Sequence, residues 1–431
     1  MRTNTYSENV VCGNVSGSVP AKAGLRRGAP LAKEFIPSPP AVGLLLLAGL
    51  LSILVPAPPA QAQRLAIRNT KIIPVQGAVI ENGTLLIENG KIKALGANVA
   101  IPAGTTIVDG TGKVLVPGLV DANAHYGLRE TPNEQANEVT PQIRVLPLVN
   151  PRSSEFKRAL QSGVTSVCLT PGSLNVVGGL CAVVKTSGNE LDRMVVRDAV
   201  SERGALGQDT FASNSGFLNA GGDLSTLYLR RPNSRMGAVW EMRHALDQPK
   251  KYPALASVRA GNLSMRIQAR IENDIRAALT IAQEFKLPHV VIDDCTEGFR
   301  VADLLAERHV SVVLGPFNDP QGFSPERAES SLSTAALLSS KGIPVAFGSN
   351  DGDATQLLAW AVLAVRNGMS PDAALKAVTL TAAEVAGVGD RVGSLAPGKD
   401  ADILILSGDP LELTTHIERV LVNGQVVYRA E

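Results

Sequence analysis

Few side chains in this 431-residue chain are equipped for chemistry, and those that are follow short apolar runs. Of the five histidines, His244, His289, His309 and His416 stand outside any motif, whereas His125 closes the triplet Asn123-Ala124-His125. Residues two apart on a strand share a face, so Asn123 and His125 point the same way if this run is a strand. Asp293 and Asp294 follow Val290-Val291-Ile292, and Asn350, Asp351 and Asp353 follow Val345-Ala346-Phe347. Lys185 follows Val183-Val184, and a loop from Asn175 to Gly178 and Gly179 can offer backbone N–H groups to a ligand. A metal bound here could activate water by lowering its pKa to about 7, with an ionisable group to move the proton. One imidazole does not make a metal site, and neutral amides bind transition metals weakly beside it.

These side chains need a scaffold that gathers strand ends. From 64 to 116, apolar runs at 71–75, 84–87 and 91–95 are separated by Asn82-Gly83 and Asn89-Gly90, which predicts a β-meander. The same texture returns at 402–406 and in a hairpin around Asn423-Gly424. Between them, strand candidates at 118–122, 164–169, 182–184, 289–292, 310–314 and 343–347 alternate with helix candidates at 271–285, 301–308, 355–366 and 371–386. The last helix has Ser370 as N-cap, Pro371 at its first position and Gly387 as its stop. Near-continuously apolar strands alternating with helices predict a parallel sheet, and the number of units favours a barrel. From 194 to 250 the alternation lapses, which reads as an insertion over the barrel mouth.

Composition narrows the partners. Lys plus Arg number 41 against 40 Asp plus Glu, so no long-range field recruits nucleic acid. Cys12, Cys168, Cys181 and Cys295 include no close pair, which signals neither a disulfide framework nor a Cys-type zinc site. Arg26, Arg27 and Lys33, an apolar run at 41–55, and Ala60-Gln61-Ala62 have the three parts of a secretory signal, with cleavage expected after Ala62. The mature chain is then exported, periplasmic or extracellular, without a transmembrane anchor. An uncleaved anchor is the other reading of the same run.

The segment Gly110-Thr-Gly-Lys-Val-Leu-Val-Pro-Gly-Leu-Val-Asp-Ala-Asn-Ala-His125 resembles the first-strand signature of the amidohydrolase superfamily, most like its imidazolonepropionase-like branch. Arg391-Val-Gly-Ser-Leu-Ala-Pro-Gly-Lys-Asp-Ala-Asp-Ile403 resembles that family's return from barrel to β-domain. The stretch from Pro171 to Gly179, with Val183-Val184-Lys185, is similar to an exported branch. The resemblance spans about 66–428 and implies an α/β fold: a TIM-like (β/α)8 barrel plus a small β-sandwich domain formed by both ends of the mature chain. The boundaries expected are a leader at 1–62, a composite β-domain at 63–116 and 388–431, and a barrel at 117–387 with its insertion at 194–250.

The resemblance also implies hydrolysis of C–N bonds by metal-activated water. The family holds its metal with a His-x-His pair on the first strand, histidines from two later strands, and an Asp on the last strand that also shuttles protons. Carried onto this chain, Asn123 and Gln268 stand at replaced ligand positions, while His125 and Asp294 remain as metal candidates. Asn350 stands where the catalytic Asp belongs, and an Asn has no ionisation with which to shuttle a proton. Lys185 matches a lysine that can be carbamylated to bridge two metals, so it is the second catalytic candidate; Asn175, Gly178, Gly179 and Asp351 are the substrate-binding candidates. Asp294 can instead pair with an arginine in place of a metal, with Asp293 inward if the register slips by one.

Two functions follow. The first is a degenerate, non-catalytic homologue without a cofactor, binding a small molecule or an active paralogue. The second is a hydrolase of non-peptide or cyclic C–N bonds with an atypical site holding zinc or a hard cation. Family habit adds a homo-oligomer, or a heteromer with an active amidohydrolase, as the expected assembly.

Overall fold

The computed structural model describes residues 63–212, 214, 230–317, 325–350 and 352–430. The expected leader and Asp351 lie outside these residues. Among the described residues no helix is long and apolar enough to cross a membrane.

Two sheets account for the strands. The first joins β1 (Arg64–Ile72), β2 (Ile80–Glu88), β3 (Lys91–Gly96), β4 (Thr106–Asp109) and β5 (Val114–Pro117). The second holds β6 (Leu119–Ala124), β7 (Val164–Leu169), β8 (Val177–Lys185), β9 (Val195–Ala205), β10 (Ser264–Gln268), β11 (Val290–Asp293), β12 (Ser311–Leu314) and β13 (Val345–Phe347). The chain then returns to the first sheet with β14 (Ile403–Leu406), β15 (Ile417–Val422) and β16 (Gln425–Arg429). That sheet runs β16-β15-β14-β5-β1-β2-β3, with β4 on β1, so the β-domain is built from both ends of the described chain. Asn89-Gly90 and Asn423-Gly424 make its turns with positive φ, whereas Gly83 lies inside β2. A Cβ at Gly83 would come within 2.7 Å of Ile72 Cδ1, so this glycine serves close packing and not a turn.

The second sheet is a nearly closed eight-stranded barrel in strand order. The Asn350 N–H donates to Asn123 O at 2.7 Å and the His125 N–H to Asn350 O at 3.1 Å, which laces the end of β13 back onto β6. Alternation sorts each strand. On β10, Met265 and Ile267, followed by Ala269, join the helix-facing core, and Arg266, Gln268 and Arg270 take the intervening inward places. Val120, Ala122, Cys168, Cys181, Val183, Val291, Val313 and Ala346 pack as a separate cluster inside.

Three features depart from the sequence reading. First, β8 is antiparallel to both β7 and β9, so one strand of the barrel runs against the others. Second, the stretch expected as an insertion from 194 opens with β9, a barrel strand, and later forms the helix Arg235–Leu246; residues 213 and 215–229 of it lie outside the described residues. β9 escaped notice because Ser201, Glu202 and Arg203 are fully buried in it, against the apolar habit of such strands. Third, the helix expected over 371–386 breaks into Pro371–Ala377 and Leu380–Val385. The break frees the Val378 carbonyl to accept the Val120 N–H at 2.9 Å, tying this helix pair to the barrel.

Glu202 lies between Leu180 and Met265 in register, and neither of its carboxyl oxygens meets a donor side chain among the described residues. Burial pushes its carboxyl well above the ordinary value of 4.5. The stability this group contributes is complete below pH 4.5 and is lost as pH rises toward its raised pKa. The isosteric, uncharged Glu202→Gln should therefore gain on the wild type with pH. Melting temperatures of both chains at pH 5 and pH 8 should show a widening gap, and an equal gap at both pH values would mean that Glu202 is ionised in the fold.

Candidate functional site

The barrel gathers most of the singled-out residues at the C-terminal ends of its strands. Asn123 lies at the end of β6 and His125 just beyond it, Thr170 follows β7, Gln268 ends β10 and Arg270 follows it, Asp293 ends β11 and Asp294 follows it, and Asn350 follows β13. Asn123 and His125 meet at Thr170. The Thr170 hydroxyl donates to Asn123 Oδ1 at 2.8 Å, and its Oγ1 stands 3.1 Å from His125 Nε2.

Asp294 is the hub of the other side. Its Oδ2 accepts from Gln268 Nε2 at 2.9 Å, from Asn350 Nδ2 at 2.9 Å and from Arg270 Nη2 at 3.3 Å, and Arg327 lies 3.7 Å away. Its backbone is left-handed, φ 54°, an uncommon conformation that lets Asp293 and Asp294 reach different partners. Below the hub, Asp293 is fully buried and takes both Arg266, at 2.6 and 3.0 Å, and Arg203. Above it, Arg270 also meets Asp209 at 2.8 Å and Glu326 at 3.4 Å. Arg235 in turn binds Asp274 at 3.0 Å and Glu326. Burial raises Asp274 to about 6 against the pull of Arg235, while burial of Asp209 is outweighed by Arg270, which holds that carboxyl low.

Sequence reasoning missed most of this network. Thr170, Arg203, Asp209, Arg266, Arg270, Glu326 and Arg327 carried no motif; for Arg266 and Arg270 the signal was an inward spacing of two along β10 and just beyond it, with arginines where a barrel strand is normally apolar. Asp121 was also missed. It accepts from Ser349 N–H at 3.0 Å and from Ser349 Oγ at 2.6 Å, fixing the residue before Asn350, and burial raises its pKa to about 6.

Lys185 requires a correction. Because β8 is antiparallel, its last residue lies at the opposite end of the barrel from the mouth. There its buried ammonium binds Asp402 and, at 3.2 Å, Asp400, in the return to the β-domain. A catalytic role is inconsistent with that position. The glycine-rich loop does stand at the mouth end, but Asn175 donates to Glu134 O and Thr140 Oγ1 and accepts from Arg230, so its amide holds loops together. Gly179, φ 120°, passes so close to Ile143 O that a Cβ would sit 2.4 Å from it, and Gly178 packs beside Gly172. Asp353 is exposed and caps a turn by accepting the Thr355 N–H. A cavity of about 420 Å³ lined by His289, His309 and Glu384 opens at the N-terminal strand ends, away from Asp294.

The donor set at the mouth does not fit a divalent transition metal. Asp294, the carboxylate among the candidate ligands, is faced by two guanidiniums, and the amides of Gln268 and Asn350 turn N–H groups, not oxygens, toward it. Among the described residues no three His, Cys, Asp or Glu side chains are grouped to hold a metal.

The sequence pattern of the amidohydrolase family matches residues 279–428. The crystal structure of an amidohydrolase from Thermotoga maritima MSB8 is similar over 85% of this chain and 100% of its own, at 29% identity and a TM-score of 0.76. The chain belongs to the amidohydrolase superfamily. Among curated members, the amidohydrolase tasK of Hapsidospora irregularis is 22% identical over 79% of this chain, and the adenine deaminase of Moorella thermoacetica 24% identical over 84%. The chain spans only 39% and 56% of the length of those two relatives.

If Lys185 is a structural clamp, Lys185→Met leaves Asp402 buried without its cation. Loss of one partner of a buried pair should lower unfolding free energy by roughly 3 kcal/mol, as read by urea denaturation. A loss under about 0.5 kcal/mol, in the range of a surface substitution, would overturn the clamp.

Proposed function

We propose that this chain is a non-catalytic amidohydrolase homologue whose barrel mouth binds a small polar molecule. The observation that carries the reading is the closure of Asp294 by Gln268, Asn350 and Arg270, which uses the family's ligand positions in hydrogen bonds to one another. Asn350 supplies no ionisable proton carrier, and Lys185 is withdrawn to the far end of the barrel. The binding part rests on orphaned atoms. Asn123 Nδ2, Gln268 Oε1, Asp294 Oδ1 and Asn350 Oδ1 are buried without a partner among the described residues, and each unsatisfied group costs about 1–3 kcal/mol. A ligand presenting both N–H and carbonyl groups would satisfy them.

The second reading, a hydrolase of C–N bonds with an atypical site, is supported by His125, which remains at a ligand position beside Thr170. Export through the leader at 1–62, and assembly with a second copy or an active amidohydrolase, belong to the same proposal.

Metal analysis of the purified chain after exhaustive dialysis should give well under one equivalent of zinc, manganese or iron. Adenine, the compound in the name of the Moorella thermoacetica relative, should be left unhydrolysed with or without added zinc. A stoichiometric transition metal, or turnover that a chelator abolishes, would defeat the reading and favour the second.

A further inference from the structure

We infer that the cavity at the N-terminal ends of the barrel strands binds a small organic carboxylate, with the apolar body of the acid on a valine floor and its carboxylate at a polar rim. This place lies at the opposite end of the barrel from Asp294, so the inference is independent of the reading of the mouth.

The barrel itself shapes the space. The first residues of β10, β11 and β12 reach it from one side, and the helix Leu380–Val385 crosses it from the other. Its floor is Val200, Val291 and Val385, none more than 8% exposed, and its rim carries the exposed His289, His309 and Glu384. A volume of about 420 Å³ falls in the roughly 300–1,000 Å³ range of small-molecule sites. A valine floor under a polar rim removes an apolar body from water and leaves its charged end at the edge, which suits an amphipathic molecule and not a bare ion.

A second observation concerns the hydrogen bonds of the lining. The hydroxyls of Ser264, Ser311 and Thr381 and the imidazoles of His289 and His309 all border the cavity, and none of these side chains is hydrogen-bonded among the described residues. At the mouth, by contrast, Gln268, Arg270 and Asn350 are spent on Asp294. A hydroxyl and a neutral imidazole can each donate one hydrogen bond, and a carboxylate accepts about four. An acceptor-rich group is therefore the one that uses most of this lining.

The placement of charge favours an acid over a neutral acceptor. A neighbouring cavity of about 270 Å³ shares Pro288, Val290 and His309 as a wall, and it is lined by Lys286 and Arg308 with no carboxylate. Across the two linings Arg197, Lys286 and Arg308 stand against Glu384 alone. Asp390 and Glu307 lie beside Arg197 and Arg308, but their side chains are 59% and 69% exposed, so these surface pairs cancel little of the field inside.

The chain has only five histidines, which makes a site-specific test practicable. In carbon–proton correlation spectra of the full chain, octanoate should shift the ring signals of His289 and His309 and leave those of His125, His244 and His416 in place. Assignment uses His289→Gln and His309→Asn, since asparagine tolerates the left-handed backbone of His309, φ 53°. Calorimetric titration should give one octanoate per chain with a dissociation constant below about 1 mM, weakened on the order of tenfold when both substitutions are combined. Octanol and octylamine, which keep the apolar body without the anion, should bind more weakly than octanoate by a similar factor. Glu384→Gln, which removes the opposing carboxylate, should tighten octanoate binding and serves if the doubly substituted chain melts earlier than the wild type. Absence of octanoate binding, equal binding of octanol, or an affinity unchanged in both the double variant and Glu384→Gln overturns the site. Shifts confined to His125 would place the acid at the mouth, overturning this site and leaving the reading of the mouth intact.

Discussion

A buried carboxylate must find its counter-charge within a few ångströms, and at the mouth of this barrel Asp294 finds it in protein. Its Oδ2 joins the end of β11 to β10 through Gln268 and Arg270 and to β13 through Asn350. In a low-dielectric interior an unpaired charge is costly, so the three strands are held in register at their open ends by the need to keep this group paired. Asn350 is at the same time the residue that closes the barrel onto β6. Closure and charge neutralisation therefore meet in one side chain.

The same constraint recurs one layer down. Asp293 collects Arg203 and Arg266, both fully buried, and Arg266 also donates to the Ala122 carbonyl at 2.8 Å across the interior. The centre of the barrel is thus polar at two successive levels, where parallel barrels are ordinarily filled with branched apolar side chains. Planar guanidiniums suit this place because their donors span several strands at once.

How far the sequence revealed this depended on what each residue had to do. Strands whose inward places are apolar, such as β7 and β12, were legible from their runs, and the Ser370 cap is seen accepting the Ala373 N–H. β9 and β10 were not, because Arg203 and Arg266 break the apolar pattern by which a buried strand is recognised. Asn123, His125, Gln268, Asp294 and Asn350 were singled out by resemblance, and they lie near one end of the barrel. Lys185 was misplaced because a run of apolar residues carries no sign of strand direction. Asp209 and Glu326 come from connections far apart in the chain, and no spacing relates them to Asp294.

The split β-domain has a consequence for the order in which the molecule is completed. β5 pairs with β1 early in the chain, yet its other edge is covered only by β14, with Val114 opposite Leu406 and Pro117 opposite Ile403. Until the final strands leave the ribosome, β5 presents a row of unpaired backbone groups flanked by the apolar Val114, Leu115 and Val116. The whole barrel is synthesised during that interval. A chain that has not yet made β14 leaves this edge open to edge-to-edge association, and β14 is the strand that seals it.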